Sequence, residues 1–403
     1  MKKPLEGLLV IDLTTFVAAP TACRLLADLG ARVIKIEPPK GEAWRNSGVS
    51  MGPTRFSHQE ENPVFDLYNN GKDMISLDLK TEAGMKIMLE LIAKADVFIT
   101  NNRPASLARM GLDYETLHKK FPRLIYGIVR GLGAKGPEAD RKAFDTTAFW
   151  ARSGFLRDQA VVLDDGQYEP VNPPASVGDS YTGSILALQV LAAILQRQES
   201  GEGQLISSTL YHVGAFAMAT MIVKHQDEFG PQVPNTRVNV RYGGGGFECA
   251  DGKWIYLAAD SPIIFRLAGH PEYHDTACTM EFGSLERRTY VLEKLRECLK
   301  MQPLDWWMEQ LEPYDTPTVP LAHFSDVSRD PQAWANDFIR NVEYPTGYTH
   351  RVPTTPFEME HLEICELTPT KAVGQDTAKV LSELGYTEAQ IAELTESGAV
   401  ICK

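Results

Sequence analysis

From residue 8 to residue 129 the chain alternates short runs rich in β-branched residues with segments of helical length, and few folds accommodate that rhythm. Residues 8–13 are an almost unbroken apolar run. Residues 20–29 read as a helix with Pro20 at its start, and residues 32–36 form a second strand-like run, which completes a βαβ unit. After a polar insertion at 41–70 the rhythm resumes. It gives a strand at 74–79, a helix at 82–93, a strand at 97–100, a short helix after Asp113 and a strand at 124–129. Such order forces successive strands to run parallel, with right-handed crossovers. The expected architecture is therefore α/β: a mostly parallel, Rossmann-like sheet covered by helices on both faces.

At 403 residues the chain exceeds one ordinary core, so at least two domains are expected. Residues 185–195 are apolar nearly all round and read as a helix buried in the large domain, stopped by Glu199-Ser200-Gly201-Glu202-Gly203. A strand at 204–210 and a helix at 210–224 follow. Residues 226–239 contain two prolines, two asparagines and no periodicity, the pattern of a linker. The expected division is a large domain over 1–225, a smaller α+β domain with its linkers over 226–325, and a return to the large domain over 326–403.

Forty basic against fifty-three acidic residues give a formal charge of −13, which disfavours nucleic acid and anionic membrane surfaces as partners. Any anionic ligand then needs a local cluster of cations. No unbroken apolar run is long enough to cross a bilayer, and Met1-Lys2-Lys3 leads into a strand bearing Asp12 rather than into a signal-peptide core. A cytoplasmic protein is expected. The six cysteines show no C-x-x-C pair, and His270-Pro271-Glu272-Tyr273-His274 is not a zinc-helix motif and suits a loop. Neither a disulfide framework nor a metal site is signalled.

The first βα turn, Thr14-Thr15-Phe16-Val17-Ala18-Ala19-Pro20, has no glycine to let a backbone approach a pyrophosphate. Glu37 stands where a dinucleotide site would place its ribose acid, so a nucleotide-dependent oxidoreductase remains a distant alternative. Gly48-Val49-Ser50-Met51-Gly52 matches a serine-hydrolase elbow but lies in the polar insertion, with neither strand nor helix beside it. The glycine run at 243–246 reads either as a flexible turn or as a loop able to close over an intermediate. Ser176-Val177-Gly178-Asp179-Ser180 puts a carboxylate directly ahead of the apolar helix. An Asp there is ordinarily an N-cap, and it can also be a covalent nucleophile toward an activated acyl group.

Pro4 to Leu13, Leu25-Leu26-Ala27-Asp28-Leu29-Gly30-Ala31-Arg32-Val33-Ile34-Lys35-Ile36-Glu37, Leu77-Asp78-Leu79-Lys80, Arg109-Met110-Gly111, Gly178-Asp179, the 201–204 turn and Leu384-Gly385-Tyr386 resemble, in order, blocks of the family III CoA-transferases. The resemblance covers essentially the whole chain. Phe144-Asp145-Thr146-Thr147-Ala148-Phe149-Trp150, Gln332-Ala333-Trp334 and Tyr344-Pro345-Thr346-Gly347 narrow it. They resemble the 2-hydroxyacyl-CoA transferases of amino-acid-fermenting anaerobes, such as those acting on phenyllactate or 2-hydroxyisocaproate.

The resemblance implies that Asp179 attacks an acyl-CoA thioester. Amides beside it, with Gly244 and Gly245 of a mobile glycine loop, would stabilise the oxyanions. It implies that CoA is held by Phe16, Val17, Ala18, Leu77, Lys80, Asn101, Arg109 and Lys142, with Phe144 packed over the CoA arm or the nucleophile. The substrates would be an acyl-CoA and a free carboxylic acid, with no permanently bound cofactor. The protomers would form an interlocked homodimer. Val17 stands where formyl-CoA transferase has a glutamine, and Pro38 where the family has an arginine. Racemases of the same fold are the alternative. They carry His before the Asp where this chain has Phe144-Asp145, and Phe144 cannot move an α-proton. Phe16, Phe56, Phe149 and Trp150 are candidates for lining an acyl pocket, or for core packing.

Overall fold

The structure is a computed structural model that describes residues 2–47, 62–139, 141–163, 165–226, 228, 245–257 and 261–403. The chain divides into two compact units. The first comprises Met1–Ser153, Pro173–Ala219 and Pro331–Lys403, and the second Gly154–Asn172 and Thr220–Asp330. The hydrolase-elbow match, Phe56, Gly244 and most of the 226–239 stretch lie outside the described residues.

In the first unit the alternating pattern becomes β1 (Leu9–Leu13), α1 (Ala18–Asp28), β2 (Arg32–Glu37), α2 (Pro63–Asn69), β3 (Asp73–Leu77), α3 (Glu82–Lys94), β4 (Val97–Thr100), α4 (Pro104–Met110), α5 (Tyr114–Lys120) and β5 (Ile125–Arg130). After a longer excursion come α6 (Val177–Ser200), β6 (Leu205–Thr209) and α7 (Leu210–Ala217). The sheet order is β3-β2-β1-β4-β5-β6, all parallel, and the C-terminal strand Val400–Ile401 pairs antiparallel along the outside of β3. This is the doubly wound order, and strands buried on both faces explain why their sequences are apolar without alternation.

Each face of the sheet carries its own core. On one, Val10, Val33, Val97, Ile99 and Ile125 pack with Ala19, Ala22, Cys23 and Leu26 of α1 and Leu186, Val190 and Ala193 of α6. On the other, Ile11, Ile34, Ile75, Phe98 and Ile128 pack with Ile87, Met88 and Leu91 of α3 and with Val380 and Leu381 of a C-terminal helix, Thr377–Leu384. By length and composition α6 is long and apolar enough to cross a membrane, contrary to the expectation from unbroken runs. Gly183, Ser184 and Gln189 interrupt the run without making the helix polar, and its packing against α1 and the sheet accounts for that apolar character.

Beneath the first βα turn the interior is charged. Lys72 Nζ lies 2.8 Å from Asp12 Oδ2, Lys35 Nζ 3.4 Å from Glu42 Oε1, and Arg45 2.7 Å from Glu37 Oε1, and all but Arg45 are fully buried. Buried ions persist only when paired and hydrogen-bonded, as these are. Glu37 also accepts the Glu42 N–H. The acid that would serve a dinucleotide ribose is thus engaged inside the protein, which removes the main support for the oxidoreductase alternative.

The second unit holds a three-stranded antiparallel sheet in the order Thr318–Pro320, Trp254–Leu257, Gly245–Glu248, packed by helices including Leu285–Leu299 and Leu304–Leu311. Its core contains Phe247, Ile255, Phe265 and Trp307, whose indole N–H donates to the Leu299 carbonyl at 3.0 Å. Tyr273 and His274 lie within a short helix, Glu272–Cys278, rather than in the loop expected there. Among the described residues no cluster of metal-ligating side chains forms.

Candidate active site

The direction of winding reverses between β1 and β4, and in such sheets ligands bind outside the carboxyl ends of the strands at that point. A cavity of about 400 Å³ opens there, lined by the turns after β1, β4 and β5, by Ala139, by residues 141–144 and by Asp179. Side chains hold the backbone of the β1–α1 turn from the Thr14 N–H to the Phe16 N–H. The Thr14 N–H donates to Asp12, and Lys35 Nζ donates to the Thr14 carbonyl at 3.0 Å. Asn101 accepts the Thr15 N–H at 3.0 Å and donates to the Thr15 carbonyl at 2.7 Å. The Phe16 N–H donates to Glu42 at 3.1 Å. These bonds fix Phe16 in the left-handed region, at φ 63°, a conformation that a side chain ordinarily avoids. Its ring stands 5.8 Å from Phe144, edge to face, and 5.9 Å from Trp44.

Asp179 is the third residue of α6 and not its N-cap. Ser176 holds the cap position at φ 72° and makes no side-chain cap bond. The first amides of the helix go instead to Asp145, which opens a wide π-type turn, Asp145–Ala151. Its Oδ2 accepts the Ser176 N–H at 3.0 Å and its Oδ1 the Asp179 N–H at 3.1 Å. These amides are therefore taken, and the expected role for them at an oxyanion is not met.

Two glycines permit the close fit. A Cβ on Gly178 would stand 2.2 Å from Asp145 Oδ1 and from the Phe149 ring, and one on Gly183 would stand 2.3 Å from the Ala18 carbonyl oxygen. The first lets the wide turn seat on α6. The second lets α6 lie against the start of α1, bringing Asp179 to the Phe16–Ala18 turn. The Tyr68 hydroxyl, on α2, interacts with Ser180 and Ser176 at the start of α6. Burial first, and the Asp145 charge second, push the Asp179 carboxyl up to about 7. No other acidic residue lines the cavity among the described residues, whereas Arg103, Arg130, Arg141 and Lys142 all do.

Of the residues expected at the site, Phe16, Ala18, Asn101, Lys142, Phe144 and Asp179 meet at this cavity. Val17 does not face it; it is buried with Trp44, Phe65 and Met74. Leu77 lies in the core, paired through its backbone with Val400. Lys80 and Arg109 line a separate surface depression of about 700 Å³ with Glu82, Met85 and Lys86. Gly245 opens a strand in the second unit, and a Cβ on the next residue, Gly246, would stand 3.1 Å from the Leu321 side chain. Phe149 and Trp150 are buried, and Phe149 packs against Gly178 and Gly214, so both serve the core.

Three residues at the site escape sequence reasoning. Asp145 is adjacent to Phe144 in a quoted motif, but nothing local reveals that it caps a helix more than thirty residues on. Tyr68 and Glu42 fall at opposite ends of the polar insertion, where no periodicity draws attention to them.

Residues 5–377 match the model of CoA-transferase family III. The chain is 34% identical to (R)-2-hydroxy-4-methylpentanoate CoA-transferase of Clostridioides difficile, over 98% of this chain and 99% of that one. It is 32% identical to cinnamoyl-CoA:phenyllactate CoA-transferase of Clostridium sporogenes, over 99% and 97%. Among solved structures, a CAIB/BAIF family protein from Brucella suis superimposes with a TM-score of 0.79 at 26% identity, covering 95% of this chain and all of that one. An acid at the switch point of a doubly wound sheet, in a cavity that four cations also line, agrees with the whole-length likeness, and the chain belongs to CoA-transferase family III.

Proposed function

We propose that the protein moves CoA from an acyl-CoA to a free 2-hydroxy acid with an apolar side chain, an aryl-lactate or 2-hydroxyisocaproate, through covalent intermediates on Asp179. The observation that carries this reading is the cavity's composition. Among the described residues its lining combines one carboxylate, Asp179, with Arg103, Arg130, Arg141 and Lys142 in a protein of charge −13, the groups that an anionic thioester and a nucleophilic acid require.

The ionised Asp179 attacks the thioester carbonyl and expels CoA thiolate, leaving a mixed anhydride. The thiolate attacks the aspartyl carbonyl, releasing the donor acid and forming an aspartyl-CoA thioester. The acceptor carboxylate attacks that carbonyl and frees the thiolate again. Attack of the thiolate on the acceptor's acyl carbon yields the new acyl-CoA and restores Asp179. No water is consumed, so exclusion of water from the site decides efficiency.

Two features support an apolar acid. Val17 is turned into an apolar cluster, and Phe16, Phe144, Ile128 and Leu210 line the cavity. Lys80 and Arg109 are suited to the phosphates of the nucleotide end. The relay requires no resident cofactor. We infer that the protein works as a cytoplasmic homodimer.

The test is a panel of acyl-CoA donors and acids given to the purified protein, with hydroxylamine trapping and mass spectrometry. Transfer should depend on the acceptor acid, and the adduct should fall on the peptide holding Asp179. Asp179→Ala should abolish transfer while keeping the fold. Rapid α-deuteration of a chiral acyl-CoA in deuterated buffer would instead identify a racemase.

A further inference from the structure

We propose that Asp145 is a positioning residue for the transfer reaction: it caps α6 from outside the helix, fixes the peptide carrying Asp179, and by its charge disfavours the free Asp179 carboxylate relative to its uncharged acylated forms. The inference rests on Asp179 being the nucleophile.

Helix N-termini leave amide donors without intrahelical partners, and a side chain at the cap position normally satisfies one. Here Ser176 makes no such bond and sits in the left-handed region. Asp145 takes over the role, accepting the Ser176 and Asp179 amides at 3.0 and 3.1 Å, with the Gly178 amide also favouring its charge. The attachment is rigid because its own turn is held on both sides. Phe149 of that turn packs on Gly178, and a Cβ on Gly214 would stand 2.6 Å from the Phe149 carbonyl oxygen. A shift of Asp145 would therefore move the backbone that carries the nucleophile.

The same arrangement brings two carboxylates together in a partly buried pocket. Facing Asp145 are Asp179 on α6, Tyr68 on α2 and the Trp150 indole of its own turn. On α7, Tyr211 lies 5.7 Å beneath Arg152, which itself pairs with Glu138 at 2.6 Å. The cations of the cavity are Arg103, Arg130, Arg141 and Lys142.

Asp145 has several amide donors for its charge, whereas the causes acting on Asp179 are burial and the Asp145 charge alone. The negative charge therefore settles first on Asp145. Each step of the relay that acylates Asp179 removes a charge from beside it and relieves the repulsion. Without Asp145, Asp179 would be a more stable and less reactive carboxylate.

The experiment compares the native protein with Asp145→Asn, which keeps the shape and one acceptor oxygen but not the charge. Asp145→Ser, a smaller uncharged acceptor, covers the case in which the amide does not fit. Three quantities are read: the pH profile of kcat/KM, the yield of hydroxylamine-trapped adduct on the Asp179 peptide, and CoA affinity. In either variant that folds, the acidic limb should move down by about one pH unit or more. The adduct yield and kcat should fall about tenfold or more, with CoA affinity nearly unchanged.

A variant with native pH limb and native adduct yield would overturn the proposal, because a purely structural cap would change stability and leave the limb in place. Failure of the native protein to give any adduct on the Asp179 peptide would overturn the nucleophile itself, whatever the variants do.

Discussion

Asp179 shows how one residue's surroundings set both reactivity and stability. Burial and the neighbouring Asp145 raise its carboxyl from the ordinary value of 3.8 to about 7, so the folded state prefers it protonated. Between those two pH values the unfolded chain has released this proton and the folded chain still holds it, so stability at this site falls as pH rises from about 4 to about 7. Transfer needs the anion, so kcat/KM should climb through the same window to a plateau above it. Asp179→Asn should lose transfer yet melt higher than the native protein at pH 8, with the advantage shrinking toward pH 4. A constant difference in melting temperature across that range would contradict the assigned ionisation. Gly178 is equally local: Gly178→Ala would drive a methyl into Asp145 and Phe149, and should destabilise by about 1–3 kcal/mol and abolish transfer.

At the scale of elements, the first βα turn works because buried charges beneath it act as fixed props. Glu42→Ala would leave the Phe16 amide without its acceptor and Lys35 without one of its paired charges. Removing one partner of a buried pair costs about 3–5 kcal/mol, so a sharp fall in denaturant midpoint is expected, whereas a surface-like change below about 0.5 kcal/mol would show that Glu42 does not hold the turn.

The strands and helices themselves were legible because strong periodicity and short connections leave few alternatives. Residues 97–100 agree to the residue with the observed Val97–Thr100. The local pattern at Asp179 fitted an ordinary N-cap as well, and the likeness of Gly178-Asp179 to a family block singled it out; the structure places it in the cavity lining. The prop beneath the turn and the cap on α6 were not legible, since Glu42, Tyr68 and Asp145 act across the fold on residues remote in sequence. Proximity of that kind leaves no local pattern. The single helix expected at 210–224 is broken at Met218, where the backbone leaves helical geometry, and no glycine or proline marks the break.

At the scale of the whole molecule, an apolar stripe of α6 stays exposed among the described residues. Tyr181, Leu188 and Leu195 recur at seven-residue intervals on α6 and so share a face, and the two leucines are 62% and 64% exposed; Phe216 on α7 is 66% exposed. Apolar stripes of this size on a long helix are uncommon on monomers and mark contact surfaces. Because Asp179 lies in the first turn of α6, a second copy of this chain docked along it would also stiffen the helix that carries Asp179. The native protein should therefore sediment at twice the mass of the chain and stay so on dilution. Leu188→Glu combined with Leu195→Glu alters only exposed positions, so in a true monomer it should change stability by no more than about 0.5 kcal/mol each. In a dimer joined through this face it should yield monomers or aggregates and a loss of transfer. A native protein that sediments as a monomer would refute the assembly, and a double variant that remains an active dimer would move the interface away from α6.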